Sequence, residues 1–165
     1  MRPTTGFTLI ELLVTVAVAA ILAVVAVPGF RSLMQGNRAA TQTNTLVSAL
    51  TFARSEAIRR GTTVSMCPSS NQTSCTGGTD WSVGWVVFRD ADGDGEPGDA
   101  TDLLRVWQSL SGPAALSGPQ SQSFMGTGQA VTSASFSYTA SGVPTRMACV
   151  NNVGRTELKK GVATC

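Results

Sequence analysis

The sequence predicts an α+β protein: one long N-terminal helix followed by a small head of antiparallel β-sheets packed on it. Three observations lead there. Residues 7–30 form an apolar run in which Glu11 is the only charged residue. Residues 31–60 keep a helical period. From residue 61 onward, short alternating runs are separated by Gly, Pro, Asn, Asp and Ser, the pattern of short strands and turns.

The apolar run is long enough, at about 1.5 Å per residue, to cross a hydrocarbon core of about 30 Å. A cleaved secretory signal would also have a basic start, here Arg2, and an apolar stretch. An acid five residues into the stretch is foreign to such a signal. On insertion scales a carboxylate at that depth costs about 2.5 to 3.5 kcal/mol, so Glu11 needs a partner or a function. Pro28-Gly29 then punctuates the helix, and Arg31 marks where the chain leaves the lipid.

Beyond it, Leu46, Leu50, Ala53 and Ala57 recur at three- and four-residue steps, with Val47 and Ile58 beside them. This narrow stripe of mostly small residues suits packing on a sheet. Gly61 after Arg59-Arg60 is a stop signal. Arg54, Arg59 and Arg60 read as a solvated face, with basic residues favoured near a helix C-terminus, in preference to a nucleic-acid patch.

In the head, strands are expected at residues 62–67, 81–88, 103–110, 133–139 and 146–150, with residues 111–128, rich in Ser, Gly, Pro and Gln, as loop. Trp81 and Trp85 lie four apart in one of these strands. They are expected on one face, packed on the helix and not displayed as a stacking platform for a sugar or a base.

Composition removes several function classes. The chain of 165 residues leaves one small soluble domain after the membrane run. It contains no histidine, the commonest general base and metal ligand, and no nucleophile elbow surrounds any serine. It is read as a non-enzyme that needs no cofactor, apart from the calcium reading below. The net charge of +2 carries no message about nucleic acid, but its distribution does. Residues 80–102 hold the acids Asp80, Asp90, Asp92, Asp94, Glu96, Asp99 and Asp102 against Arg89 alone. The C-terminal stretch holds Arg146, Arg155, Lys159 and Lys160 against Glu157.

Four cysteines, Cys67, Cys75, Cys149 and Cys165, follow the membrane run, which favours disulfides in an oxidising compartment over zinc. Three pairings are formally open. The sequential one, Cys67 with Cys75 and Cys149 with Cys165, is expected because each closes a short loop. Asp90-Ala91-Asp92-Gly93-Asp94-Gly95 reproduces the first half of an EF-hand loop, so Asp90, Asp92, Asp94 and Asp99 are candidate calcium ligands. Thr101 stands where the bidentate glutamate belongs, and a hairpin turn rich in Asp and Gly accounts for the same residues without metal.

Gly6-Phe7-Thr8-Leu9-Ile10-Glu11-Leu12-Leu13 resembles the class III signal of type IV pilins and type II secretion pseudopilins, and Pro28 sits at that family's kink. The resemblance implies the type IV pilin fold. It implies a leader of residues 1–6 cut off between Gly6 and Phe7 by a prepilin peptidase that also N-methylates Phe7. It further implies a transmembrane and assembly helix over 7–30, its amphipathic continuation over 31–60, and a periplasmic head over 61–165. Glu11 would then meet the Phe7 amine of a neighbouring subunit. Leu50-Thr51-Phe52-Ala53-Arg54-Ser55-Glu56-Ala57-Ile58 is similar to the GspH/FimT group, which includes FimU-type minor pilins.

Three functions follow as expectations: a minor pilin of a type IV pilus, a GspH-like pseudopilin of a type II secretion system, or a DNA receptor for uptake. The partners would be other pilins or pseudopilins, the peptidase, the inner membrane and, for the third reading, DNA. Gly154-Arg155-Thr156-Glu157 resembles the GRxR motif of DNA-binding FimT-type pilins, with Glu157 in place of the second arginine. Arg155, Lys159 and Lys160 are the candidate DNA contacts.

Overall fold

The computed structural model describes residues 6–165, so Arg2 and the rest of the expected leader before Gly6 lie outside the described residues. Helix α1 runs from Leu9 to Arg60. The chain divides after Asn37 into two compact units, taken here one at a time.

In the first unit α1 is apolar on every side, and its side chains from Leu9 to Phe30 are exposed. Its most apolar 18-residue window has a mean hydropathy of 2.8 with none of it buried, so this is a helix long and apolar enough to cross a membrane. Pro28 stands inside the helix without ending it. A proline there removes one hydrogen bond of the ladder, a loss the flanking turns carry.

The second unit begins at Arg38 and holds the remainder of α1. Here the helix becomes one-sided: Ala39, Leu46, Ala49, Leu50, Ala53 and Ala57 are wholly buried. The alanines let the sheets approach closely, and Leu46 and Leu50 supply most of the apolar area, about 1.5 to 3 kcal/mol each. Val47 is half-buried, while Ile58 stays exposed. Gly61, at φ 64°, ends the helix and donates its N–H to the Ala57 carbonyl at 2.9 Å. That left-handed conformation is cheap only for glycine.

Eight strands follow: β1 Val64–Pro68, β2 Trp85–Arg89, β3 Leu103–Trp107, β4 Ala114–Ser117, β5 Gln122–Phe124, β6 Ala134–Ala140, β7 Arg146–Val150 and β8 Thr156–Lys160. They make two four-stranded antiparallel sheets, ordered β3-β2-β1-β5 and β4-β6-β7-β8. Both contribute to one core with α1: Met66, Trp85 and Val87 from the first sheet, Phe136, Tyr138 and Ala148 from the second. The first sheet is also covered on its outer face. There Cys67, Val86 and Phe88 pack with Cys75 and Leu103, which is why β1 is buried along its whole length.

The structure departs from the sequence expectation at three places. Trp81–Val83 is a 3-10 turn, not the start of a strand, capped by Asp80, whose carboxylate accepts the Ser82 N–H. Trp81 and Trp85 are both fully buried, yet they meet through a turn and a strand and not by alternation along one strand. Gly84, at φ 102°, makes the corner; a Cβ there would sit 2.6 Å from the Trp107 carbonyl. Second, the expected loop over 111–128 contains β4 and β5. Their Ser- and Gln-rich sequence hides strands whose apolar content is one residue at a time, Leu116 and Phe124. Third, β8 emerges from the charged tail as an edge strand.

Candidate functional site

Three surfaces carry the chemistry, and the first is the start of α1. Gly6 and Phe7 precede the helix, with Phe7 84% exposed. Thr8 caps it: the Thr8 hydroxyl accepts the Glu11 N–H at 3.3 Å, while Glu11 Oε2 accepts the Thr8 N–H at 3.4 Å and the Thr8 hydroxyl at 3.3 Å. This is a capping box, which answers two of the N–H groups that a helix start leaves open. The T-x-x-E spacing of Thr8-Leu9-Ile10-Glu11 is the sequence signature of that box. Glu11 is thereby held at a fixed place on the first turn of an apolar helix.

The second surface is the C-terminal hairpin. Cys149 and Cys165 form a disulfide. Cys149 pairs with Glu157 across the β7–β8 ladder, as Met147 does with Lys159 and Arg146 with Lys160. Alternation along β8 therefore puts Arg155, Glu157 and Lys159 on one face and Lys160, beside Arg146, on the other. The candidate DNA contacts do not form one patch. Arg155, Glu157 and Lys159 instead line a depression of about 470 Å³ with Ser133, Asn151 and Cys165, and Lys159 Nζ donates to the Cys165 carbonyl at 2.9 Å.

A glycine and an arginine set the entry to β8. Arg54 on α1 donates from Nε to the Gly128 carbonyl at 2.8 Å and from a terminal nitrogen to the Val153 carbonyl at 3.0 Å. Gly154, at φ 78°, lies so close that a Cβ would fall 2.2 Å from the Gly128 oxygen. Arg54 is thus a clamp between two turns, not part of a solvated basic face. Arg59 and Arg60 do belong to such a face; both pair with Glu56, whose carboxyl they hold below its usual range through their hydrogen bonds.

The third surface is the acidic loop between β2 and β3. Asp90 is buried, and its carboxylate accepts the Ser65 hydroxyl at 2.5 Å and the N–H groups of Gly93 at 2.9 Å and Gly95 at 3.2 Å. Carboxylate oxygens of Asp90, Asp92 and Asp94 come within 4.8 Å of one another. Asp99 stands outside that group and accepts both the N–H and the hydroxyl of Thr101, bonds that hold its carboxyl low. Protein donors thus already shape the loop, as they would a metal-free turn. The Cys67–Cys75 disulfide lies alongside, with Cys75 Sγ 3.5 Å from the Gly95 carbonyl. Trp81 and Trp85 are wholly buried, so neither offers an indole face to stack a sugar or a base.

These features sit in a recognisable family frame. The family model described as "Type II transport protein GspH" matches residues 42–154. The chain belongs to the GspH family. A second model, "Prokaryotic N-terminal methylation motif", matches residues 1–27, the segment that includes Gly6, Phe7 and Glu11. The GspH-family head resembles two crystal forms of the type IV minor pilin FimU of Pseudomonas aeruginosa (strain PAO1). One is 20% identical, with a TM-score of 0.55 over 70% of this chain and 88% of that one. The other is 19% identical, with a TM-score of 0.58 over 79% and 92%. At this identity the likeness is one of fold: a long N-terminal helix packed on two antiparallel sheets. A search of curated proteins found no match. Family and fold are those of pilin-like structural proteins.

Proposed function

We propose that this GspH-family chain is a minor pilin that enters, and helps to prime, a type IV pilus. In this reading a prepilin peptidase cuts between Gly6 and Phe7 and methylates the new Phe7 amine. The helix over 7–30 anchors the chain in the inner membrane with its N-terminus cytoplasmic and its head periplasmic, and then carries it into the filament beside other pilins. The observation that carries the reading is Glu11: one carboxylate fixed by a capping box in a helix that is otherwise apolar and exposed on all sides. Such a group is expensive in lipid unless a cation meets it, and a freed amine on a neighbouring subunit is that cation. Replacing Glu11→Val should leave membrane insertion and leader cleavage intact and remove the chain from sheared filaments. Normal incorporation of the variant would refute the reading.

The description of the matched family favours a second reading, a pseudopilin of a type II secretion system. The two part on deletion of the gene. Loss of pili and twitching with secretion intact supports the pilin; loss of secretion with pili intact supports the pseudopilin.

A further inference from the structure

At one end of the second sheet a row of side chains crosses from the core to open solvent. Leu116, Tyr138, Arg146 and Lys160 stand directly opposite one another on β4, β6, β7 and β8, so all four share one face. That face is the one packed on α1, because the Tyr138 hydroxyl donates to Gln42 on the helix at 2.7 Å. Burial falls away along the row: Leu116 and Tyr138 are buried, Arg146 is half-buried and Lys160 is exposed. Arg38 joins them from α1. It lies one helical turn before Gln42 on the same helix face, and its guanidinium rests on Gly112, where a Cβ would overlap its terminal nitrogen. Burial raises the Tyr138 phenol while the charges of Arg38 and Arg146 both pull it back, so both cations are felt at one hydroxyl.

These three cations are unanswered. Among the described residues the ion pairs are Arg59 and Arg60 with Glu56 and Arg89 with Asp102, and none involves Arg38, Arg146 or Lys160. Arg146 Nε is buried without a hydrogen-bond partner, which costs free energy until an acceptor arrives. Glu157, the acid of β8, is three residues from Lys160 and so lies on the opposite face. The acids of the β2–β3 loop belong to the other sheet. What suits this surface is an anion with several acceptor oxygens, and phosphate is the group that guanidinium forks match.

Chain connectivity selects the phosphate. Arg38 follows Arg31, at the end of the apolar run, by seven residues, a stretch that reaches at most about 25 Å. The surface is tethered within reach of the headgroups where the helix emerges, and tethering raises their effective concentration. We propose that Arg38, Arg146 and Lys160 dock the head on the phosphate groups of anionic phospholipids in that leaflet. The contact holds the head down on the membrane before assembly, and entry into a filament must release it. The inference rests on the membrane-anchored reading and adds one headgroup contact to it.

The test uses the full-length chain reconstituted in vesicles of phosphatidylcholine alone or of phosphatidylcholine and phosphatidylglycerol in equal parts. Ser141→Cys, in the exposed β6–β7 turn, carries an impermeant fluorophore so that only outward heads report, and lipid with a nitroxide on its headgroup quenches it. Quenching should be several-fold greater with phosphatidylglycerol and should fall to the neutral-vesicle level in high salt. Arg38→Gln with Lys160→Gln should remove most of that difference and Arg146→Gln the rest, with the fluorescence of buried Trp81 and Trp85 as the check on folding. Arg155→Gln with Lys159→Gln, on the opposite face of the sheet, should change nothing. Quenching that is blind to lipid charge, unchanged by Arg38→Gln with Lys160→Gln, or lost equally with the Arg155 and Lys159 pair overturns the proposal. So does a duplex-DNA mobility shift that needs Arg38 and Lys160 in a chain whose quenching ignores lipid charge. Flotation separates the two ideas. A chain that floats with both vesicles but ignores their charge sinks the docking alone, whereas one that does not float removes the membrane anchor and the docking with it.

Discussion

The Tyr138 hydroxyl donates to Gln42 Oε1 at 2.7 Å, and Gln42 Nε2 passes on to the Ser111 carbonyl at 2.9 Å. Burial pushes the Tyr138 phenol above its usual range, so it remains a neutral donor. The bond keys α1 to β6 inside an otherwise apolar core. Tyr138→Phe strands the Gln42 oxygen and should cost about 1 to 3 kcal/mol in chemical denaturation of the full chain in micelles. A cost near zero would mean that water reaches Gln42. Gly154→Ala tests a tighter constraint, because neither the positive φ nor the 2.2 Å approach to the Gly128 oxygen admits a side chain. The two turns that Arg54 clamps must then part. Faster tryptic cleavage after Arg155 is the expected outcome, with the rest of the head still resistant.

At the scale of elements, the C-terminal disulfide and the end of α1 each give a measurable prediction. Cys149 and Cys165 are 16 residues apart, and closing a loop of that length restricts the unfolded chain by about 3 kcal/mol. Replacing both by Ser should lower stability by about that amount, and reductant should lower the unmodified chain further, because it opens Cys67–Cys75 as well. Glu56 works through pH. Because Arg59 and Arg60 lower its carboxyl below 4.5, its contribution is present above that value and fades as pH falls through the lower folded-state value. Glu56→Gln should therefore melt slightly earlier than the unmodified chain at about pH 7, and the difference should shrink as the pH falls below 4.5.

The same elements show what the sequence exposes. The stripe of Leu46, Leu50, Ala53 and Ala57 and the stop at Gly61 are legible because helical period and cap chemistry are local. β4, β5 and β8 are not. β4 buries one large side chain, Leu116, and β5 is three residues long with polar Gln122 buried beside Phe124, so neither leaves a period-2 signal, while β8 is an edge strand in which the apolar Leu158 is itself exposed among three charges. Arg54 reads as solvent-facing for a related reason: its two carbonyl partners are 74 and 99 residues away in sequence.

For the whole molecule, the N-terminal signal and the GspH match of residues 42–154 together cover most of the chain, and the fold follows the family. What the sequence could not show is the sorting of charge on the head. The basic tail reads as one cluster along the chain, and strand alternation splits it between two faces. The acidic loop reads as half a calcium motif, yet its one buried carboxylate already has three protein donors.

Both covalent bridges stay within the β-rich part: one ties β1 to its neighbouring loop, the other β7 to the tail. Neither reaches α1. A pull on the N-terminal helix is therefore borne in shear, by the buried side chains from Ala39 to Ala57 sliding against two sheets, with Arg54 as a catch near the far end. Under load the head would yield by slippage of the helix while each sheet stays stapled, so Arg54→Ala should lower the unfolding force in single-molecule pulling far more than reduction of either disulfide.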